Sequence, residues 1–336
     1  MGKLNNIDGV KGVCAIAVFV AHFCGAFAPV EPTIQLYYSR MFFRWFDGNP
    51  AVDVFIILST FLACRSLERQ NLQEILIKKY LRIALPISVV LIAIGCLKYC
   101  GFLYNSQVGQ MIGNDWLRGY PLDYYQLPLT LIISPFGKDY GWMNTLWMLK
   151  YIMISPIVIL ALKSITKNLT VFKKNLVILV IYLIFRNIDV YLINILYGTI
   201  LYDFCKQETS IRRKSTIGIG SLFLLFLMDL APQNDLVLNV CRAICLVNLA
   251  LMSPLFAKVF SFRLFTWLGT HSMAIYLIHL PLIYSLSCFL WLKTGDMYLI
   301  TIVTSIALII LSVVYHKFVE NPIYAKLNSM VNWVKS

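Results

Sequence analysis

LITIVTSIALIILSVVY, residues 299–315, contains no Asp, Glu, Lys, Arg or His. Wound as an α-helix at 1.5 Å per residue, such a run is about 25 Å long, close to the hydrocarbon core of a bilayer at about 30 Å. Within that layer a helix satisfies every backbone N–H and C=O from its own segment, so the run reads as a membrane-crossing helix. Working outward, the same reading finds candidate spans at 10–28, 51–64, 82–99, 146–162, 176–185, 190–202, 217–230, 236–256, 267–291 and again 299–315. The whole chain agrees: 59% of its 336 residues are apolar, 13% are charged, and its mean hydropathy is +0.74. Soluble domains carry about 25% charged residues, so the apolar excess here needs lipid to cover it. Disorder, a collagen-like repeat and a disulfide scaffold are excluded on the same grounds.

The net charge of +13 does not form the basic stripe of a nucleic-acid binder, because its lysines and arginines punctuate hydrophobic runs. With the N-terminus in the cytoplasm, twenty basic residues fall on inner segments and six, Arg40, Arg44, Arg118, Lys138, Arg186 and Lys293, on outer ones. The expected fold is therefore all-α, a polytopic integral membrane helical bundle of about ten crossings with both termini cytoplasmic. Ala26-Phe27-Ala28 imitates a signal-peptidase site, but Asp8 and His22 do not suit a leader, and the first span is read as retained. The nine cysteines sit mostly in apolar stretches without a CxxC pair, and no metal is expected. The outer loop 101–144 is rich in aromatics, including Trp116, Tyr120, Tyr124 and Trp142, which serve either as interfacial anchors or as a lid.

Titratable groups inside spans are costly, and each is a functional candidate. They are Lys11 and His22 on the first span, Asp53 on the second, Lys150 on the fourth, Arg242 on the eighth and His279 on the ninth. His22 lies about 9 Å below the outer end of its helix and Asp53 about 3–5 Å below the same face. Lys150 and Arg242 fall at similar depth, and together these groups describe a polar cavity in the outer half. His22 with Asp53 has the logic of a catalytic pair, the carboxylate fixing the imidazole while its free nitrogen takes a proton. The alternative is a histidine bonded to a helix carbonyl and an aspartate capping its own helix. Ser59-Thr60 on an apolar helix reads as packing. At the inner face Lys79 and Arg82 share one helical face and suit a phosphate-bearing ligand; plain positive-inside topology also accounts for them.

The succession of motifs resembles the acyltransferase 3 family of integral-membrane acyltransferases. Asn6-Ile7-Asp8-Gly9-Val10-Lys11-Gly12 with Ala21-His22-Phe23 is similar to its opening motif, and Val52-Asp53-Val54-Phe55 through Ser59-Thr60-Phe61-Leu62 to its second-helix motif. Lys79-Tyr80-Leu81-Arg82, ahead of Pro86, falls on an Arg-x-x-Arg stretch. Leu146-Trp147-Met148-Leu149-Lys150 resembles a Trp-Phe-Leu-Arg segment, while Trp267-Leu268-Gly269, Tyr276 to His279 and Val319-Glu320-Asn321-Pro322 match closing pieces. Lys11, Lys79 and Lys150 stand where the family has Arg, keeping the charge without the planar fork. Thr60 replaces a Gly and is expected to hold the second helix further from its neighbour.

The resemblance implies an acyltransferase 3-like transmembrane domain over residues 1–322 and a short cytoplasmic tail over 323–336. It also implies a catalytic His22 and acetyl-CoA as donor; Asp53 is expected to orient the imidazole, and Lys79, Arg82 and Lys11 to hold the donor's phosphates. Lys11 and His22 are about 16 Å apart along one helix, a length that a pantetheine arm bridges. Trp147, Lys150 and Arg242 are expected to line the acceptor side and stabilise the oxyanion. The expected activity is O-acetylation of a cell-envelope polysaccharide or lipid-linked glycan at the inner membrane, with His22 acting as general base or carrying the acyl group itself. The alternative is a transporter or flippase for an anionic lipid-linked glycan, with the same residues along a translocation path.

Overall fold

The computed structural model describes residues 5–31, 47–119, 122–138, 140–185, 189–207, 210–229 and 236–335. Lys3, Arg40, Arg44, Tyr120, Arg186 and Leu230 lie outside them. Every regular element among the described residues is helical. A helix occurs at each of the ten expected positions, but length and composition carry fewer crossings. Among the described residues six helices pass by themselves, and a seventh passes if Leu236–Met252 and Pro254–Phe260, bent by 93°, form one broken span. Val171–Phe185 and Leu192–Lys206 have 15 residues each, about 22 Å of helix, short of the hydrocarbon thickness. Ile211–Asp229 spends its first turn on Arg212, Arg213 and Lys214.

The chain divides into two compact units. The first comprises residues 1–14, 44–77 and 150–270. In it, helix Gly48–Ser66 packs against Leu192–Lys206 and Leu236–Met252, and Ile211–Asp229 packs against Leu236–Met252. Glycine sets the close approaches. A Cβ on Gly198 would stand 2.7 Å from the Ile57 carbonyl oxygen and 2.8 Å from Thr60 Cβ. Thr60 therefore does not push its helix away from this neighbour, contrary to expectation; the missing side chain at Gly198 makes the room. The opening motif is used in the same way: a Cβ on Gly9 would lie 1.8 Å from the Phe260 carbonyl oxygen, and one on Gly12 2.5 Å from Gly269 N.

The second unit comprises residues 15–43, 78–149 and 271–336. Helix Ser272–Leu282, with Pro281 inside it, runs into a π-helical turn, Ile283–Ser287, and on to Cys288–Thr294. A proline removes one donor from the ladder, and the widened turn follows directly after it. A second π turn, His316–Glu320, joins Met297–Tyr315 to Asn321–Lys335, so the expected tail at 323–336 continues a helix.

Segment 101–144, expected to lie wholly outside the membrane, partly runs back along helix Leu72–Tyr99. The Tyr124 hydroxyl donates to the Gly95 carbonyl at 3.0 Å, and the Tyr80 hydroxyl donates to the Ile132 carbonyl at 2.9 Å. Tyr80 and Gly95 are about 22 Å apart along that helix. After Leu127–Ile133 and Ser134–Phe136 the chain turns at Gly137, in the left-handed region at φ 77°, and Trp142 packs edge-on to Tyr124 at 5.7 Å. The segment is a hairpin folded back along helix Leu72–Tyr99. Its run Leu127 to Phe136 is too short to cross a bilayer and nearly devoid of polar side chains, and Leu129, Ile132 and Phe136 are exposed on its outward side.

Candidate functional site

His22 stands near the C-terminal end of helix Asn5–Phe27, in the part that belongs to the second unit. Its Nδ1 lies 2.9 Å from Nε2 of His279, on helix Ser272–Leu282. The two ring planes differ by 5° with centroids 5.1 Å apart. With the nitrogens at hydrogen-bond distance, that spacing sets the rings edge to edge in nearly one plane rather than face to face. His279 is fully buried, and its Nδ1 is 3.3 Å from the Ile275 carbonyl one turn back. The neighbouring Tyr276 ring, 5.9 Å from His279, directs its hydroxyl to the Thr145 carbonyl.

Trp116 lies nearly parallel to the His22 ring, 11° from its plane and 5.4 Å away, with Tyr284 edge-on to the indole at 6.5 Å. The loop residue Asn114 holds Trp116 there. Its amide donates to the Gly25 and Ala26 carbonyls at 2.9 Å each, while its Oδ1 accepts the Leu117 N–H at 3.2 Å. The last carbonyls of a helix have no partner within it, and one asparagine satisfies two of them within a turn of His22. Thus one part of segment 101–144 covers the imidazole.

Asp53, expected to orient His22, lies in the first unit. Its Oδ1 accepts from the Asn194 amide at 2.6 Å within the first unit, and its Oδ2 has no hydrogen-bond partner among the described residues. The Nδ1 that a carboxylate would have occupied is instead taken by His279, and a single ring nitrogen makes one such bond. Ahead of this helix, burial holds the Asp47 carboxyl above its usual range, opposed by the Asn49 and Gly48 backbone N–H groups and by the Arg242 charge.

In the first unit Lys150 lies 3.8 Å from Asp189, and Tyr151 donates its hydroxyl to both Asp189 oxygens at 2.8 and 2.7 Å. Asp189 was not legible as a site residue because it sits in the connection between two short helices. Arg242 is buried, its Nη1 bonded to Asn239 at 3.0 Å and its Nη2 to the Met228 carbonyl at 2.9 Å, fastening Leu236–Met252 to Ile211–Asp229. Trp147 occupies a 3₁₀ turn, Leu146–Met148, in the second unit, its carbonyl packed on Gly137.

At the other end of helix Leu72–Tyr99, the exposed Arg82 places its guanidinium 4.3 Å over the Tyr324 ring and within electrostatic reach of buried Glu320. Glu320 Oε2 is 2.5 Å from Nδ1 of His316, whose ring neighbours that of His271 at 4.7 Å. Lys79 is half-buried one turn from Arg82, and Lys11 is half-buried on the opening helix in the first unit. Among the described residues no group of three or more His, Cys, Asp or Glu is placed to hold a metal ion.

A family model described as an acyltransferase domain matches residues 4–316. Neither a curated protein nor a solved structure matches the chain.

Proposed function

Since this chain belongs to the acyltransferase domain family, we propose that it moves an acetyl group from acetyl-CoA to a hydroxyl of a cell-envelope polysaccharide or lipid-linked glycan. The observation that carries the reading is His22. It is an imidazole on a helix long and apolar enough to cross a membrane, within hydrogen-bond distance of buried His279 through Nδ1. A base so arranged accepts the proton of an alcohol as the alkoxide oxygen attacks the thioester carbonyl. The C–S bond then breaks, and the imidazolium returns the proton to the departing CoA sulfur. The acyl group ends as an ester on the acceptor.

Arg82, stacked on Tyr324, supplies a flat, permanently charged fork for a CoA phosphate, and Lys79 adds a second charge on the same helix face. Lys11 is the third proposed phosphate contact. On the acceptor side the proposed contacts are Trp147 and Lys150, with Arg242 acting through the two helices it joins. The membrane is taken to be the cell inner membrane.

The experiment is His22→Ala in membranes supplied with labelled acetyl-CoA, with the envelope glycans read by mass spectrometry. Loss of the label from the glycan supports the proposal; undiminished acetylation overturns it. A transporter would move its cargo chemically unchanged and without a thioester.

A further inference from the structure

The bond between His22 and His279 joins two groups that look identical, yet the surroundings make them unequal. The His279 Nδ1 faces the Ile275 carbonyl at 3.3 Å, and a carbonyl oxygen only accepts. That nitrogen must carry a proton. His279 is fully buried in a helix that passes as a membrane span, and neither ring has a carboxylate partner among the described residues. An unpaired imidazolium there would cost several kcal/mol, so His279 is neutral and has one N–H only. Its Nε2 is then a bare lone pair, aimed in the ring plane at His22 Nδ1, 2.9 Å away. The hydrogen of that bond has one remaining source, the Nδ1 of His22.

From this geometry we infer that His279 is a positioning residue that locks His22 in its Nδ1–H form, leaving Nε2 as the nitrogen that takes the acceptor's proton. The inference deepens the acyltransferase reading and rests on it for the meaning of the base, though not for the tautomer itself. A chain of two donations, from His22 to His279 and from His279 to the Ile275 carbonyl, does the orienting work that a carboxylate does in acid–histidine pairs. The partner carries no charge. When His22 is protonated, the His279 lone pair still accepts its Nδ1–H, but no ion pair forms to hold the proton against its return to the CoA sulfur. Trp116 lies nearly parallel to the same imidazole, and its Asn114 anchor fixes that ring within one turn.

The test reads the tautomer directly. The full-length protein, labelled with ¹⁵N-histidine and held in lipid nanodiscs, contains four histidines, and the His22 resonances are assigned by their disappearance in His22→Gln. The expected signature is a protonated Nδ1 and a bare Nε2 on His22, with the same pattern on His279. A protonated Nε2 on His22 in the neutral ring overturns the inference. The second arm is functional: His279→Leu removes the acceptor, whereas His279→Gln offers a carbonyl oxygen near the place of Nε2. Leu is expected to lower kcat by about 100-fold with the donor KM unchanged, and to scramble the His22 tautomer. Gln is expected to restore most of both. Equal losses in the two variants, with the His22 tautomer intact in each, assign His279 a purely structural role and overturn the inference. Full acetylation by His22→Gln with the predicted tautomer in the wild type would instead reject the base and leave the histidine pairing standing.

Discussion

The Tyr80 hydroxyl donates to the Ile132 carbonyl at 2.9 Å, tying a segment beyond the end of helix Leu72–Tyr99 to a residue near that helix's start. The segment around Ile132 therefore runs back beside a helix long and apolar enough to cross a membrane. In lipid nanodiscs, a charged maleimide should label Tyr125→Cys rapidly and Ile132→Cys slowly or not at all, although Ile132 is 60% exposed to its surroundings. Rates are compared with the parent, whose Cys96 and Cys100 are exposed. Equal rates at 125 and 132 would put the hairpin in water.

Gly9 and Gly220 are both helical glycines in opposite circumstances. A Cβ on Gly9 meets a backbone carbonyl at 1.8 Å, whereas one on Gly220 meets nothing within 4 Å. Gly9→Ala is expected to destabilise by about 1–3 kcal/mol through forced separation of packed backbone. Gly220→Ala is expected to be neutral or stabilising by about 0.5 kcal/mol, since it relieves the helix of a flexible residue. Thermal unfolding of the purified variants decides. Equal stability would show that the opening motif does not pack as described.

Arg82 over Tyr324 predicts a donor effect. Arg82→Lys keeps the charge and loses the plane, and Tyr324→Ala loses the platform; each should raise the KM for acetyl-CoA about tenfold while kcat stays near its parent value. An unchanged KM in both removes this end of the helix from the donor site.

Asp53 accepts from Asn194 within the first unit, so its neutral isostere should be tolerated. Asp53→Asn is expected to lower kcat less than tenfold, because the oxygen that accepts from Asn194 remains available. A loss of about 100-fold or more would return the carboxylate to the imidazole as a catalytic partner.

How far the sequence reached differs from element to element. His22 is legible because a titratable ring in an apolar helix stands out at any register, and Arg82 because its charge lies three residues from Lys79 on one face. His279 stands out for the same reason as His22, but its role is invisible in the sequence. The bond between them joins residues 257 positions apart, and no periodicity encodes such a pairing. Asp53 was the more tempting partner, since acid–histidine pairs are common and its helix follows directly in the chain. The hairpin escaped because a run from Leu127 to Phe136 is too short for a hydropathy reading to separate from a loop.

The amino-acid order alone determined where the chain is helical, which runs seek lipid, and which few charges had to be excused for lying there. These follow from 1.5 Å of rise per residue and the cost of bare polar groups in hydrocarbon, both local quantities. The tertiary structure decided which nitrogen faces which, that Gly198 leaves room for Thr60, and that Ile132 returns toward Tyr80. Those outcomes depend on side chains from distant segments meeting at van der Waals and hydrogen-bond range, and only the folded packing brings them there.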